Sequence, residues 1–229
     1  YAEIHGCPEI VFHNVVERIK ECVRIKKENN LQVTIGLQMV LLPDFKDQIV
    51  PLAKIGKDLG VDYFVIKHCS DDEFNTLGVE YEKYFQEDLI NEIKKAEAMS
   101  DENYLVKAKW SKILSSGKRK YSKCFGPPFM IQLSGSGLVA PCGMLFNERY
   151  KDKFHIGNIA ETRFKDIWKS DRYWEVMDRI VSPEFDARVD CGCLCLQHKV
   201  NEFLWDLKQE GVNEVPEPQG EKPQHINFI

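Results

Sequence analysis

The sequence predicts an α/β protein in which crossover helices and parallel strands give way to a small cysteine-rich α+β region. Three observations carry this. Through the first half, segments with apolar residues at helical spacing alternate with short apolar strands. Near residue 130 a strand, a glycine turn and a second strand follow one another, the pattern of a β-hairpin. Five of the eight cysteines then fall between Cys124 and Cys195.

Taken in order, Pro8 suits a first helical turn, and Ile10 to Lys27 carries Phe12, Val15, Val16, Ile19, Cys22 and Val23 at helical spacing until Asn29-Asn30 ends it. A strand is expected over Leu31–Leu42, a helix over Lys46–Leu59 stopped by Gly60, and a strand over Val61–His68. Ser70–Gly78 reads as a loop, Val79–Met99 as a helix and Tyr104–Lys109 as a third strand. Helices between strands at these lengths argue for parallel pairing. Phe129–Leu133 and Leu138–Ala140 flank the turn Ser134–Gly137. Ala160–Ile180 is expected to form one helix or two, burying Phe164, Ile167, Trp168, Trp174 and Met177. Leu196–Leu207 is expected to form the last helix. The expected organisation is residues 1–110, 111–210 and a proline-containing tail at 211–229.

Composition narrows the function. At 43% hydrophobic and 29% charged, the chain has the make-up of a packed core and is not globally disordered. Its net charge of −5 argues against a general nucleic-acid binder, which would be basic. No apolar run approaches the roughly 18 residues of a membrane span, so no membrane partner is expected. The start at Tyr1 shows no charged and apolar leader, so the chain is expected to be a processed product or fragment of a cytoplasmic protein.

The cysteines carry the chemistry. Cys124 and Cys142 bracket the hairpin, and Cys191, Cys193 and Cys195 occupy alternate positions some fifty residues later. Distant soft ligands brought together by folding can build an iron–sulfur cluster or a tetrahedral zinc site, the latter with His198 replacing one cysteine. Disulfides or inert buried thiols are the remaining reading, and thiols two residues apart pair awkwardly. With three candidates for two places, one of the last trio is expected not to be a ligand.

Here the chain resembles a family. Cys124, seventeen residues and Cys142, with Gly137 five positions before Cys142, is similar to the opening of the SPASM/Twitch extension of radical S-adenosylmethionine enzymes. Gly157-Asn158-Ile159, Phe164 and Ile167-Trp168 resemble the stretch that follows it there. Ile35-Gly36-Leu37-Gln38 and Gly60-Val61-Asp62-Tyr63 resemble late strands of that family's partial (β/α)6 TIM-like barrel. The trio Cys191-x-Cys193-x-Cys195 departs from the full SPASM pattern and fits the one-cluster Twitch arrangement. The family's Cys–x3–Cys–x2–Cys loop is absent from the sequence.

The resemblance implies a C-terminal part of such an enzyme, carrying one auxiliary [4Fe–4S] cluster and inactive alone. The complete enzyme would use S-adenosylmethionine, an electron donor such as flavodoxin or ferredoxin, and a peptide or small-molecule substrate. The alternative is a zinc-stabilised protein-interaction module without enzyme activity.

Other residues are weighed on position. On the first strand Thr34, Gly36 and Gln38 share one face, and Val33, Ile35, Leu37, Met39 and Leu41 the other. Gln38, Lys67 and Lys107 are therefore candidates to line a substrate or cofactor cavity at the strand C-termini. His68 and Cys69 end a strand and are expected to be ordinary loop-anchoring residues. Cys7 and Cys22 are expected to pack against helices, Trp168 and Trp174 to lie in the core, and the basic stretch Lys107–Lys123 to be a solvated linker. The turn at Gly135–Gly137 lacks a following helix, so a hairpin is expected and not a phosphate loop.

Overall fold

The computed structural model describes residues 1–72, 74–115, 117–192 and 195–211. The expected tail therefore lies, beyond Gly211, outside the described residues. The chain forms two compact units. The first comprises Tyr1–Cys69 and Val79–Ser116, and the second comprises Ser70–Gly78 and the chain from Gly117 onward.

In the first unit β1 (Gly36–Leu41), β2 (Tyr63–His68) and β3 (Leu105–Ala108) form a parallel sheet in that order. Helices α1 (Ile10–Glu28), α2 (Ile49–Leu59) and α3 (Glu87–Glu97) accompany it. On α3, Leu89, Ile93 and Ala96 recur at i, i+4 and i+7 and are fully buried against Leu41, Phe64 and Ile66 of the sheet. Gly60 ends α2 at φ +76°, where its amide donates to the Gly56 and Lys57 carbonyls.

Several boundaries differ from expectation. β1 begins only at Gly36, because its partner strand begins at Tyr63. The Asp62 carboxylate accepts from Ile35 N at 2.6 Å and pairs with Lys26, closing the ladder there. Val33 is consequently 51% exposed and does not join the apolar face. The second helix opens with a 3-10 turn, Pro43–Gln48, before α2. The third is likewise split: Tyr84 is drawn inward, where its hydroxyl bonds the Leu41 carbonyl and Cys69 N, and Gln86 is extended before α3 starts. Cys22 is exposed on α1, which buries only Val23, so it is not a packing thiol; Cys7 is half-buried.

The second unit holds a small antiparallel sheet of β4 (Gln132–Leu133), β5 (Leu138–Ala140) and β6 (Gly157–Asn158). It also holds α4 (Asp171–Val181) and α5 (His198–Glu210). The expected strand from Phe129 is shortened because Phe129 N and Met130 N bond back to Gly126 and Pro127 in a turn. Phe129 is exposed. The expected helix over Ala160–Ile180 is two, Phe164–Ile167 and α4, separated at Ser170, whose hydroxyl caps Tyr173 N at 3.2 Å.

On α4 the buried stripe is Tyr173, Val176, Met177 and Ile180. Trp174 stands about 100° off that stripe and is 54% exposed. Trp168 stacks on the Tyr173 ring at 4.8 Å and is partly exposed. Neither tryptophan belongs to the core, contrary to expectation. The basic stretch is also more than a linker: Lys123 donates to the Phe185 carbonyl at 2.7 Å, and Lys120 pairs with Asp206.

Candidate metal centre

Four cysteines reach one cavity of the second unit. Cys124, Cys142, Cys191 and Cys195 line it together with Pro127, Pro141, Leu145, Ile180, Phe185 and Ala187. They arrive on three stretches of backbone, Cys191 and Cys195 sharing the last. Cys124 N donates to the Ile180 carbonyl near the end of α4 at 3.2 Å. Cys142 follows β5 and starts the 3-10 turn Gly143–Leu145, with Gly143 N held by Gln132 Oε1 at 2.8 Å. The Cys195 carbonyl accepts from His198 N, so Cys195 sits just before α5. Cys193 lies outside the described residues.

The hairpin sets the spacing between the first two thiols. Gly137 turns at φ +83°, and a Cβ there would meet Asn158 Oδ1 at 2.6 Å. Only glycine combines that dihedral with that approach. Ile159 N bonds the Gly137 carbonyl at 2.9 Å and the Asn158 amide bonds the Ser136 carbonyl at 3.1 Å, locking β6 onto the turn. Gly192 is constrained by space alone, since a Cβ would meet the Met144 Cε at 2.3 Å and the Asp71 carbonyl at 2.8 Å.

Around the thiols stands a set of polar side chains that sequence reasoning did not single out. Arg119 donates to Cys191 Sγ at 3.5 Å, to the Cys191 carbonyl at 3.4 Å and to the Ala187 carbonyl at 3.1 Å. Burial works against its charge, but Cys191, Tyr121 and Cys195 outweigh it, and its pKa is raised. Gln197 is 1% exposed; its amide donates to the Met130 and Pro141 carbonyls, and its oxygen lies 4.0 Å from Cys124 Sγ. Asn201, fully buried, accepts from Phe125 N and from Gly126 N at 3.1 Å and donates to the Lys123 carbonyl at 2.8 Å. Gln197 and Asn201 are four residues apart at the start of a helix, a spacing that puts both on one face. That was the signal available in the sequence.

His198 is not placed as a ligand. Its Nδ1 shares a hydrogen bond with Tyr121 Oη at 3.1 Å and its Nε2 lies 3.4 Å from Glu202. Both ring nitrogens thus face protein partners.

Electrostatics place the cysteines together. Burial first, then Cys195 and Cys191, push the Cys124 thiol up to about 12. Burial first, then Cys191, Cys195 and Cys124, push Cys142 up as well. These thiols stay protonated until a cation arrives to hold them as thiolates. Among the described residues no three His, Cys, Asp or Glu side chains stand close enough to hold a single ion.

Residues 124–195 match the family model of SPASM, an iron–sulfur cluster-binding domain. This stretch is similar to a SPASM domain. Its match begins on Cys124 and ends on Cys195, two of the cysteines that line the cavity. Neither a curated protein nor a solved structure matches the chain significantly. The SPASM segment thereby supports an iron–sulfur cofactor.

The other expected site residues lie in the first unit. Gln38, Val65 and Lys107 are register partners, as are Val40 and Lys67, so Gln38, Lys67 and Lys107 share one face of the parallel sheet. That face is opposite Leu37, Met39 and Leu41, which pack with the helices. Gln38 and Lys107 are exposed and Lys67 is half-buried. His68 and Cys69 are buried, Cys69 N being bonded to the Leu41 carbonyl and Tyr84 Oη. Among the described residues no helix is long and apolar enough to cross a membrane.

Proposed function

We propose that the second unit carries an auxiliary [4Fe–4S] cluster of a radical S-adenosylmethionine enzyme, and that the first unit is part of that enzyme's partial barrel. The observation that carries this reading is the convergence of Cys124, Cys142, Cys191 and Cys195 on one cavity inside the SPASM match. The donor set suits the group: four thiols, apolar walls, and a guanidinium beside one sulfur. The match to an iron–sulfur cluster-binding domain over residues 124–195 favours a cluster over zinc.

When bound, such a cluster supplies one-electron chemistry or a fixed point for substrate. The protein's own residues do the rest. The cavity walls, Pro127, Pro141, Leu145 and Phe185 among them, exclude water from the sulfurs. Arg119 sets positive charge and an N–H donor on Cys191 Sγ, which favours the thiolate and raises the potential of whatever it ligates. Gln197 and Asn201 fix the Cys124 and Cys142 backbones relative to α5. S-adenosylmethionine would bind elsewhere in the complete enzyme, with electrons from a flavodoxin or ferredoxin and a peptide or small molecule as substrate.

Anaerobic reconstitution with iron and sulfide tests the reading. A broad visible absorption that disappears in Cys142→Ala and persists in Cys22→Ala is expected. A colourless protein, or equal colour in both variants, would reject it.

A further inference from the structure

We propose that an aromatic-walled cavity of the second unit binds a short peptide segment in which an aromatic residue stands next to an acidic one. The proposal rests on that cavity alone and not on the cluster.

The cavity measures about 650 Å³, and every residue lining it belongs to the second unit. Only Phe185 is common to it and the cavity of the thiols. The volume is ordinary for a site that encloses a small ligand. One wall is a run of rings. The Arg149 guanidinium stands over the Phe74 ring at 4.2 Å and the Tyr150 ring at 4.7 Å. Tyr150 meets Phe154 at 5.9 Å, and Phe154 meets Phe185 edge-on at 5.8 Å. The run passes from Phe74, which is 65% exposed, to Phe154 and Phe185, which are buried. Val189, in the same lining, is 71% exposed. Apolar surface left open inside a concavity marks a place where another molecule sits.

The local sequence builds these walls without a ligand. Asn147 caps its turn by accepting from Arg149 N at 3.2 Å. Tyr150, Lys153 and Phe154 then follow at i, i+3 and i+4 through the short helix Lys151–Phe154, a spacing that sets them on one face. Arg172 ties this turn down through the His155 carbonyl at 3.0 Å and the Asp152 carbonyl at 2.6 Å. The segment carrying Val189 closes on itself, with Val189 N bonded to the Asp186 carbonyl at 2.9 Å and Asp186 N to Asp190 Oδ2 at 2.7 Å. Phe74 N is held by Asp72 Oδ1 at 3.0 Å. A site arranged in advance loses less freedom on binding.

The rings select an aromatic side chain. The charges select its neighbour. Arg179 is held by Glu175 at 3.1 Å and by Glu184 at 3.6 Å, and Asp190 by Asp186 N. Arg149 serves as a flat platform against the rings, and no free charge is asked of it. Lys153 differs, because its ammonium makes no ion pair or hydrogen bond among the described residues. A carboxylate beside the bound ring complements it. The cavity is larger than one aromatic side chain and leaves room for the residues next to it.

Calorimetric titration of the full chain, purified anaerobically, with the capped peptide Phe-Glu-Gly tests this. Saturable binding is expected, at least about tenfold weaker for capped Phe-Gln-Gly and for capped Ala-Glu-Gly. Phe74→Ala, Lys153→Met and Val189→Asp should each weaken the first peptide to a similar degree. All three side chains are exposed, so the variants should keep the parent's circular dichroism. Lys165→Met, on the separate short helix Phe164–Ile167, should bind as the parent does. Absence of saturable binding, equal affinity for the three peptides, or equal affinity in all variants would overturn the proposal. The readout involves no iron, so its outcome is separate from that of the cluster assay.

Discussion

Ile66 and Cys142 are both buried, yet among different things. Ile66 is fully enclosed by apolar neighbours from a sheet and its helices. Cys142 lies two residues beyond a three-residue strand and lines a cavity with three other cysteines. The first unit is organised by the hydrophobic effect acting on periodic faces. The second has two- and three-residue strands and is tied together by side chains that bond backbone carbonyls and amides: Arg119, Lys123, Gln197 and Asn201. Short irregular backbone needs such directed bonds to satisfy its buried polar groups. The difference teaches that the first unit rests on an apolar core under regular elements, while the second adds directed bonds to its own core of Tyr173, Val176 and Ile180 beside a cavity lined by four cysteines.

The largest test of this contrast is Cys142→Ala. The second unit should lose its cluster and melt far below the intact protein, while the first keeps its transition; two-phase thermal unfolding followed by circular dichroism reads both. The mirror experiment is Ile66→Ala, which should destabilise the first unit by about 2–5 kcal/mol and leave cluster absorption unchanged.

Asn201→Ala comes next. It strands two amides and a carbonyl, costing about 2–3 kcal/mol in the second unit by denaturant titration. Gly137→Ala should cost a smaller amount, about 1–2 kcal/mol, and slow cluster assembly by shifting β5 relative to β6.

A further prediction concerns pH in the metal-free chain. The Cys124 thiol stands at about 12 when folded against an ordinary 9.0. A group whose pKa is raised on folding stabilises the fold below the ordinary value and loses that contribution as pH climbs toward the raised one. Stability of the second unit should therefore fall between about pH 9 and 12, and the cluster-loaded protein should not show this loss.

The contrast also explains what could be read in advance. Long periodic elements were legible: α1, α2, α3 and the parallel strands all lie within the segments expected of them, because apolar spacing reports burial directly. Their ends were not. Asp62 closing the ladder at Ile35 and Tyr84 splitting a helix are tertiary events with no local signature. In the second unit the hairpin turn and the cysteines were visible, since glycine and cysteine are chemically specific.

β6, only two residues long, was not. Trp168 and Trp174 misled because hydrophobicity was taken for burial, whereas α4 buries the stripe through Tyr173 and Met177. Arg119 was hidden in a basic run whose other members look solvated, and only the fold brings it to Cys191.

Quantitation of iron, acid-labile sulfide and zinc in one anaerobically purified sample tests the central claim most directly. The account predicts about four iron and four sulfide per chain, both falling in Cys124→Ala and Cys191→Ala. One zinc without sulfide in the anaerobic protein would contradict it.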